Sequence, residues 1–222
     1  MIDYLILVPV GYVLGSLPFG LIAGWVFKRI DVRGVGSGKT GMTNVLRAVG
    51  LPAAIAVLLL DMGKAILAVV LARILSESHG VESAAAVAAL MGHNWPVFTG
   101  FRGGRGTASG WGILLILAPV SGLVVMVVGI PVIAVTRYMS LGSITAAIAG
   151  ATTLVVLSST GQAPAEYIWF GAIGGPLVVA RHRDNIVRLL RGEERKLGEP
   201  ADDAATPPRT RRLWGLRWPR SA

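Results

Sequence analysis

The chain has 222 residues, 53% of them hydrophobic and 15% charged, with no cysteine and a net charge of +9. That balance is too apolar for an ordinary soluble domain, and it excludes a disordered chain, a coiled coil and a disulfide-stapled scaffold. Without thiols, sulfur redox chemistry, thiolate metal sites and cysteine nucleophiles are excluded as well.

Residues 4–27, 106–136 and 138–165 carry no charge, and each run is long enough for one or more bilayer spans of about 20 residues. The first is not a cleavable signal. Asp3 stands where a basic leader would be, and the apolar run is too long. Five cations follow in 28–47, two in 101–106 and eleven from Arg181 onward, whereas 76–82 holds two acids and no cation. Positive-inside bias therefore puts the first two clusters and the C-terminus in the cytoplasm, and the N-terminus and 76–82 outside. The charge belongs to membrane orientation rather than to nucleic acid.

In chain order, 4–27 runs inward to a Gly-rich loop reaching about residue 50. The span 52–75 carries Asp61 and Lys64 at i and i+3, so the two charges share a face and pair inside the protein. A third span, 83–98, returns to a cytoplasmic loop at 101–110. As one helix 106–136 would be about 46 Å long against a core of about 30 Å. Pro119, Gly122, Gly129 and Pro131 interrupt it, so it reads as two short helices turning near 119–122. Spans 141–157 and 165–180 complete an all-α polytopic membrane protein of seven helices, with the N-terminus outside and the C-terminus cytoplasmic. A five-span version with a re-entrant 110–136 is the nearest rival. Residues 1–198 form a single helical domain. Residues 199–222 read as a basic, Pro-rich cytoplasmic tail with no packed fold. The mix of five Arg with Leu213, Trp214, Leu216 and Trp218 suits either an anchor on anionic headgroups or a solvated end.

The first cytoplasmic loop places Gly34, Gly36, Gly38 and Gly41 within eight residues, which lets successive N–H groups point at one anion. Ser37, Thr40, Thr43 and Asn44 add neutral donors, and Lys39 and Arg47 add charge. A nucleotide P-loop would need Gly five residues before Gly38; position 33 is Arg, and no buried strand precedes it. The second loop repeats the ingredients, with Gly103, Gly104 and Gly106 around Arg102 and Arg105 at the start of a helix. His182 and Asn185 add a third element at the exit of the last span. Three anion-seeking elements at one face imply two phosphorylated ligands side by side. Asp31 is the sole acid in the cytoplasmic loops before Arg181, which argues against a magnesium site. No histidine has Asp five residues on, so the His-x4-Asp base of the acyl-CoA glycerolipid acyltransferases is missing. His93 reads first as a packed residue. A transporter of phosphorylated metabolites is the rival class, but the motifs sit at one face and no inverted repeat is visible.

These residues resemble the bacterial acyl-phosphate:glycerol-3-phosphate acyltransferase family. The resemblance runs through Gly15-Ser-Leu-Pro-Phe-Gly20, the Gly-Ser-Gly loop to Thr43-Asn44 and Arg47, Asp61-x-x-Lys64 and Gly92-His93. It continues through Phe101-Arg-Gly-Gly-Arg-Gly106, Ser140-Leu-Gly-Ser143 and Arg181-His182-x-x-Asn185 to Gly192. It implies a seven-helix enzyme of the bacterial plasma membrane with its active site on the cytoplasmic side. That enzyme moves an acyl chain from acyl phosphate to the 1-hydroxyl of glycerol 3-phosphate, without metal, cofactor or obligate protein partner. By motif, Gly36, Ser37, Gly38, Thr43, Asn44, Gly103, Gly104 and Gly106 would hold acyl phosphate. Arg47, Arg105, Ser143, His182 and Asn185 would grip glycerol 3-phosphate. Ser37, Arg47, Arg105, His182 and Asn185 are the implied catalytic set, with a substrate phosphate receiving the proton. Lys39, Met42, Arg102 and Arg105 depart from the family's usual Asn, Ala, Lys and Lys, and the tail beyond about Glu199 has no counterpart.

Overall fold

The computed structural model describes residues 1–199, with no strand among them. All but the first residue of the expected tail lies outside the described residues. Ten α-helices follow one another: α1 (Ile2–Gly15), α2 (Phe19–Lys28), α3 (Met42–Ala48), α4 (Leu51–Leu75), α5 (His79–Asn94), α6 (Thr107–Leu117), α7 (Pro119–Thr136), α8 (Met139–Ser159), α9 (Ile168–Arg181) and α10 (Arg183–Arg191). Among the described residues, four segments are long and apolar enough to cross a membrane: Ile2–Lys28, Leu51–Leu75, Pro119–Thr136 and Met139–Ser159.

Prolines set the breaks. Pro119 disfavours α geometry at the residue before it, and the extended backbone of Ala118 divides α6 from α7 as the sequence reading expects. Pro18 acts likewise on Leu17. The first span therefore divides into α1 and α2, and the Leu17 carbonyl, held locally only by a tight-turn bond from the Phe19 N–H at 3.1 Å, also accepts from Lys64 Nζ at 2.8 Å. Lys64 also pairs with Asp61 at 2.7 Å, both side chains almost wholly buried, so the intramembrane pair stitches α4 to the break. The short helices α3 and α10 lie in segments read from sequence as loop and exit.

Helices α1 and α5 pack backbone to backbone. A Cβ at Gly11 would come within 2.8 Å of the Ala85 carbonyl, and one at Gly15 would overlap that of Ala89. Two small pairs at four-residue spacing are the means by which membrane helices approach so closely. The main core joins Val69 of α4, Leu90 of α5, Ile113 of α6, Leu154 of α8 and Phe170 of α9. One end of the bundle is fastened by Glu82, which accepts from Tyr167 at 2.7 Å and Arg73 at 3.0 Å, and by Ser76 donating to Asp3. The Gly-rich loops gather at the other end. They reach deep: Ser109 Oγ donates to the Asp61 carbonyl, ten residues and about 15 Å along α4 from Leu51. Helix α6 is short because it starts at that recessed level.

Candidate active site

In the first loop Asp31 caps a single 3₁₀ turn by accepting from the Arg33 backbone N–H, and it grips the Arg33 guanidinium at 2.7 Å. Arg33 also donates to the Thr99 carbonyl, tying the first loop to the second. Gly36 and Gly38 have φ of 59° and 67°, a region in which Gly carries no Cβ penalty. The loop is shaped by Asn44. Its buried amide donates to the carbonyls of Val32, Val35 and Lys39 at 2.7–3.1 Å and accepts from the Ser37 N–H at 3.1 Å. Asn44, read from sequence as an anion donor, thus has its amide taken up by the loop itself. Ser37 on the same loop and Thr43 in the first turn of α3 are half-buried. Gly20 explains its motif: a Cβ there would overlap the Thr40 carbonyl, so α2 presses directly on the loop.

The second loop lies on the end of α5. Gly104 N–H donates to the His93 carbonyl at 3.1 Å, and a Cβ at Gly103 or Gly104 would overlap His93. These two glycines are needed for that approach, and Gly106, at φ 88°, turns the chain into α6. His93 has a partner that the sequence reading passes over, since Asp61 Oδ1 lies 3.5 Å from its Nδ1. His79, at the opposite end, likewise sits 3.0 Å from Glu82, three residues on. Arg181 joins the second loop to α9 through the carbonyls of Gly104 and Asn94, its guanidinium over the Trp95 ring.

Cations from all three segments then face one another. Burial, the nearby Arg188 and Arg181 lower the Arg105 pKa to about 10, against the opposing pull of Glu194 and Asp184. Lys39 is lowered by burial and then by Arg181 and Arg105, and Arg47 by burial and then by Arg195, while Glu194 supports its charge. A crowd of half-desolvated cations repels itself and favours an anion between its members. His182 Nδ1–H donates to the Val178 carbonyl at 2.8 Å, which leaves Nε2 as an acceptor. Burial, offset in part by that hydrogen bond and reinforced by Arg105, takes its pKa to about 4, so the imidazole is neutral at pH 7.

Glu194 is the residue that sequence reasoning missed. Its carboxylate accepts from Ser140 Oγ at 2.7 Å, Asn185 Nδ2 at 2.6 Å and Arg188 Nε at 2.7 Å. Burial alone would raise its pKa, but these three bonds outweigh burial and keep it anionic. The following residues form a strap: Arg47 donates to the Arg195 carbonyl, and Leu197 and Arg137 exchange backbone and guanidinium bonds. The signal available was an acid pair directly after Gly192, in an otherwise cationic stretch. Ser140, rather than Ser143 one turn along α8, makes the contact to this cluster. Two of the residues expected at the acceptor site keep a buried polar atom with no hydrogen bond among the described residues, the donor Arg105 Nε and the acceptor Asn185 Oδ1. No group of three or more His, Asp or Glu among the described residues could hold a metal ion.

The family model described as glycerol-3-phosphate acyltransferase matches residues 5–192. A glycerol-3-phosphate acyltransferase of Synechococcus sp. (strain CC9902) is 44% identical over 199 residues, covering 90% of this chain and 98% of the relative. The chain belongs to the glycerol-3-phosphate acyltransferase family. A second member, from Halalkalibacterium halodurans, is 43% identical over 84% of this chain and 92% of its own. Among solved structures, the family member PlsY, an integral membrane glycerol 3-phosphate acyltransferase, superposes in its glycerol 3-phosphate form with a TM-score of 0.81. Identity there is 36%, over 88% of this chain and 96% of that one. Its lysophosphatidic acid form gives a TM-score of 0.77 at 35% identity, over 88% and 95%. The chain is therefore an integral membrane acyltransferase of phospholipid synthesis.

Proposed function

We propose that the protein transfers an acyl group from acyl phosphate to the 1-hydroxyl of glycerol 3-phosphate, releasing lysophosphatidic acid and inorganic phosphate. One observation carries this reading: the two Gly-rich loops and the α9–α10 junction meet around Arg47, Arg105 and His182, where two phosphates can be held in contact. Ser37, Thr43 and the free amides of the first loop, with Gly103, Gly104 and Gly106 shaping the second, cradle the donor phosphate. Asn44 acts by fixing that cradle. Arg47 and Arg105 grip the acceptor phosphate. The Arg105 Nε donor and the Asn185 Oδ1 acceptor complement its phosphate and hydroxyl, with Ser143 and His182 Nε2 beside them.

The hydroxyl oxygen attacks the acyl carbonyl carbon, the carbonyl–phosphate C–O bond breaks, and the leaving phosphate takes the hydroxyl proton. A histidine of pKa about 4 is a weak base at neutral pH, so His182 positions the acceptor. Catalysis rests on cancelling repulsion between two anions and aligning them, which is worth up to about 7–11 kcal/mol in ideal cases.

The same proposal places the enzyme in the bacterial plasma membrane with seven crossings, α1 and α2 counting as one. The N-terminus is then outside, and residues 1–198 form one domain whose site faces the cytoplasm. Its support is the basic loops, gathered at one end of the bundle. Purified protein in liposomes tests the chemistry. Phosphate release requires both acyl phosphate and glycerol 3-phosphate and survives EDTA. Turnover with acyl-CoA in place of acyl phosphate refutes the donor, and magnesium-restored activity after EDTA refutes metal-free catalysis.

A further inference from the structure

The two faces of α10 meet different surroundings. Asn185 and Arg188 lie on the inner one, where Asn185 is buried and both side chains donate to Glu194, the start of the strap. Arg183, Val187, Leu190 and Arg191, at i, i+4, i+7 and i+8, share the outer face. All four are exposed, Leu190 at 84%. Asp184 lies 3.4 Å from Arg183 Nε, whereas Arg191 has no ion-pair partner among the described residues. The outer face is therefore an apolar pair set between two arginines.

Its neighbours fix the level at which this face lies. The strap returns to the α7–α8 junction, where the Leu197 N–H donates to the Arg137 carbonyl at 2.7 Å and Lys196 Nζ sits 5.8 Å from the centre of the Tyr138 ring. Just before that junction Val135 is 84% exposed in the last turn of a membrane-length helix, so hydrocarbon reaches that turn. Arg137 and Tyr138 then mark the headgroup layer, where basic and aromatic side chains collect. Helix α10 is strapped to that layer. There Val187 and Leu190 can enter the acyl boundary while Arg183 and Arg191 meet lipid phosphates. The 200–222 tail carries five Arg against Asp202 and Asp203, so its charge has the same sign as this face and does not complement it.

We propose that the outer face of α10 docks on anionic lipid headgroups of the leaflet at the loop end of the bundle, and that this contact holds Asn185 and the Glu194 strap in place. The docking goes beyond the reaction proposed above, and its effect on the acceptor rests on that reading. A helix of nine residues is too short to persist by its own hydrogen bonds, so the surface beneath it matters to its order. Because α9 tethers it beside the bilayer, weak contacts suffice.

The full chain in liposomes tests both parts. With no native cysteine, nitroxides on Leu190→Cys and Val135→Cys each report one position. In vesicles containing phosphatidylglycerol both labels collide with oxygen in preference to a water-soluble nickel chelate. A Leu190→Cys label that meets the chelate first overturns the docking. So does one shielded from both reagents, which would put a second copy or the tail on this face. KM for glycerol 3-phosphate is compared between the wild type and Arg183→Gln/Arg191→Gln, whose changes lie outside the substrate-binding residues. The two agree in pure phosphatidylcholine. With about one-third phosphatidylglycerol the wild-type KM is about fivefold below that of the double variant, the effect of one cation at an anionic surface. KM values that stay equal overturn the link to the acceptor. A wild type that does not turn over acyl phosphate would sink the donor assignment instead, and the nitroxide result would then decide the docking by itself.

Discussion

Arg105 combines burial, positive neighbours and an unpartnered Nε, a state that an isolated protein tolerates only where an anion compensates it. Arg105→Ala and Arg47→Ala each lower kcat/KM by about 10²–10³-fold in phosphate-release assays, the scale of losing one charge-stabilising donor. Arg105→Lys, which installs the residue of the family pattern, keeps most activity. Normal kinetics in both alanine variants would remove these side chains from the site. His182 gives a pH signature. Its folded pKa of about 4 lies below the 6.5 of a free imidazole, so between those values the unfolded chain takes up a proton that the folded one refuses. Its contribution to stability is complete above pH 6.5 and is lost as pH falls toward 4, by at most about 1.4 kcal/mol per unit. Thermal midpoints in detergent from pH 7.5 to 5 fall more steeply for the wild type than for His182→Gln. Parallel slopes would contradict the buried neutral imidazole.

The first loop is an element whose shape comes from elsewhere in the fold. Asn44→Ala removes four backbone contacts at once, leaving the Val32 and Val35 carbonyls only their turn bonds from Val35 and Gly38 and taking the Asn44 donor from the Lys39 carbonyl. It lowers stability by about 1–3 kcal/mol and abolishes most turnover. Gly20→Ala drives a methyl into the Thr40 carbonyl, so the loop moves while the helices stay, and activity drops with an unchanged circular-dichroism spectrum. Unimpaired turnover in Gly20→Ala would show that α2 does not set the loop's position. These outcomes mark what sequence could convey. The division of α6 from α7 was legible because Pro119 acts on its neighbour, and the Asp61–Lys64 pair because i and i+3 share a face. Asn44 was legible as a polar loop residue but not as the loop's own clamp, since spacing does not tell whether an amide faces ligand or backbone. Glu194 escaped because its links to Arg188 and Asn185, six and nine residues back, fold across the end of α10 rather than follow a helical repeat, and its third partner Ser140 is 54 residues distant. Helix α3 was missed because seven residues give too short a run to register, and α10 because its nine residues read as the charged exit of the last span although one face is strongly amphipathic.

For the whole molecule, the level of the site matters as much as its composition. The Lys64–Asp61 pair, His93 and Gly104 lie together some 15 Å along α4, so the second loop descends into the bundle to meet an intramembrane ion pair. Such a recess brings a water-soluble acceptor and a lipid-borne donor to one depth, and it also shortens α6 to 11 residues, about 16 Å. A helix that short would suit a re-entrant segment as well as a crossing that starts half-way down, and the two differ in where the α6–α7 turn emerges. Arg73 Nη2 donates to the Ile116 carbonyl at 3.1 Å, which ties that turn to the Glu82 end of the bundle. With no native cysteine, single substitutions report the side cleanly. In intact cells a membrane-impermeant maleimide labels Glu77→Cys, Gln162→Cys and Val120→Cys, all exposed positions at that end, whereas Arg102→Cys and Arg191→Cys react only after lysis. A Val120→Cys that stays unlabelled until detergent is added, while Glu77→Cys and Gln162→Cys react, would replace seven crossings by five.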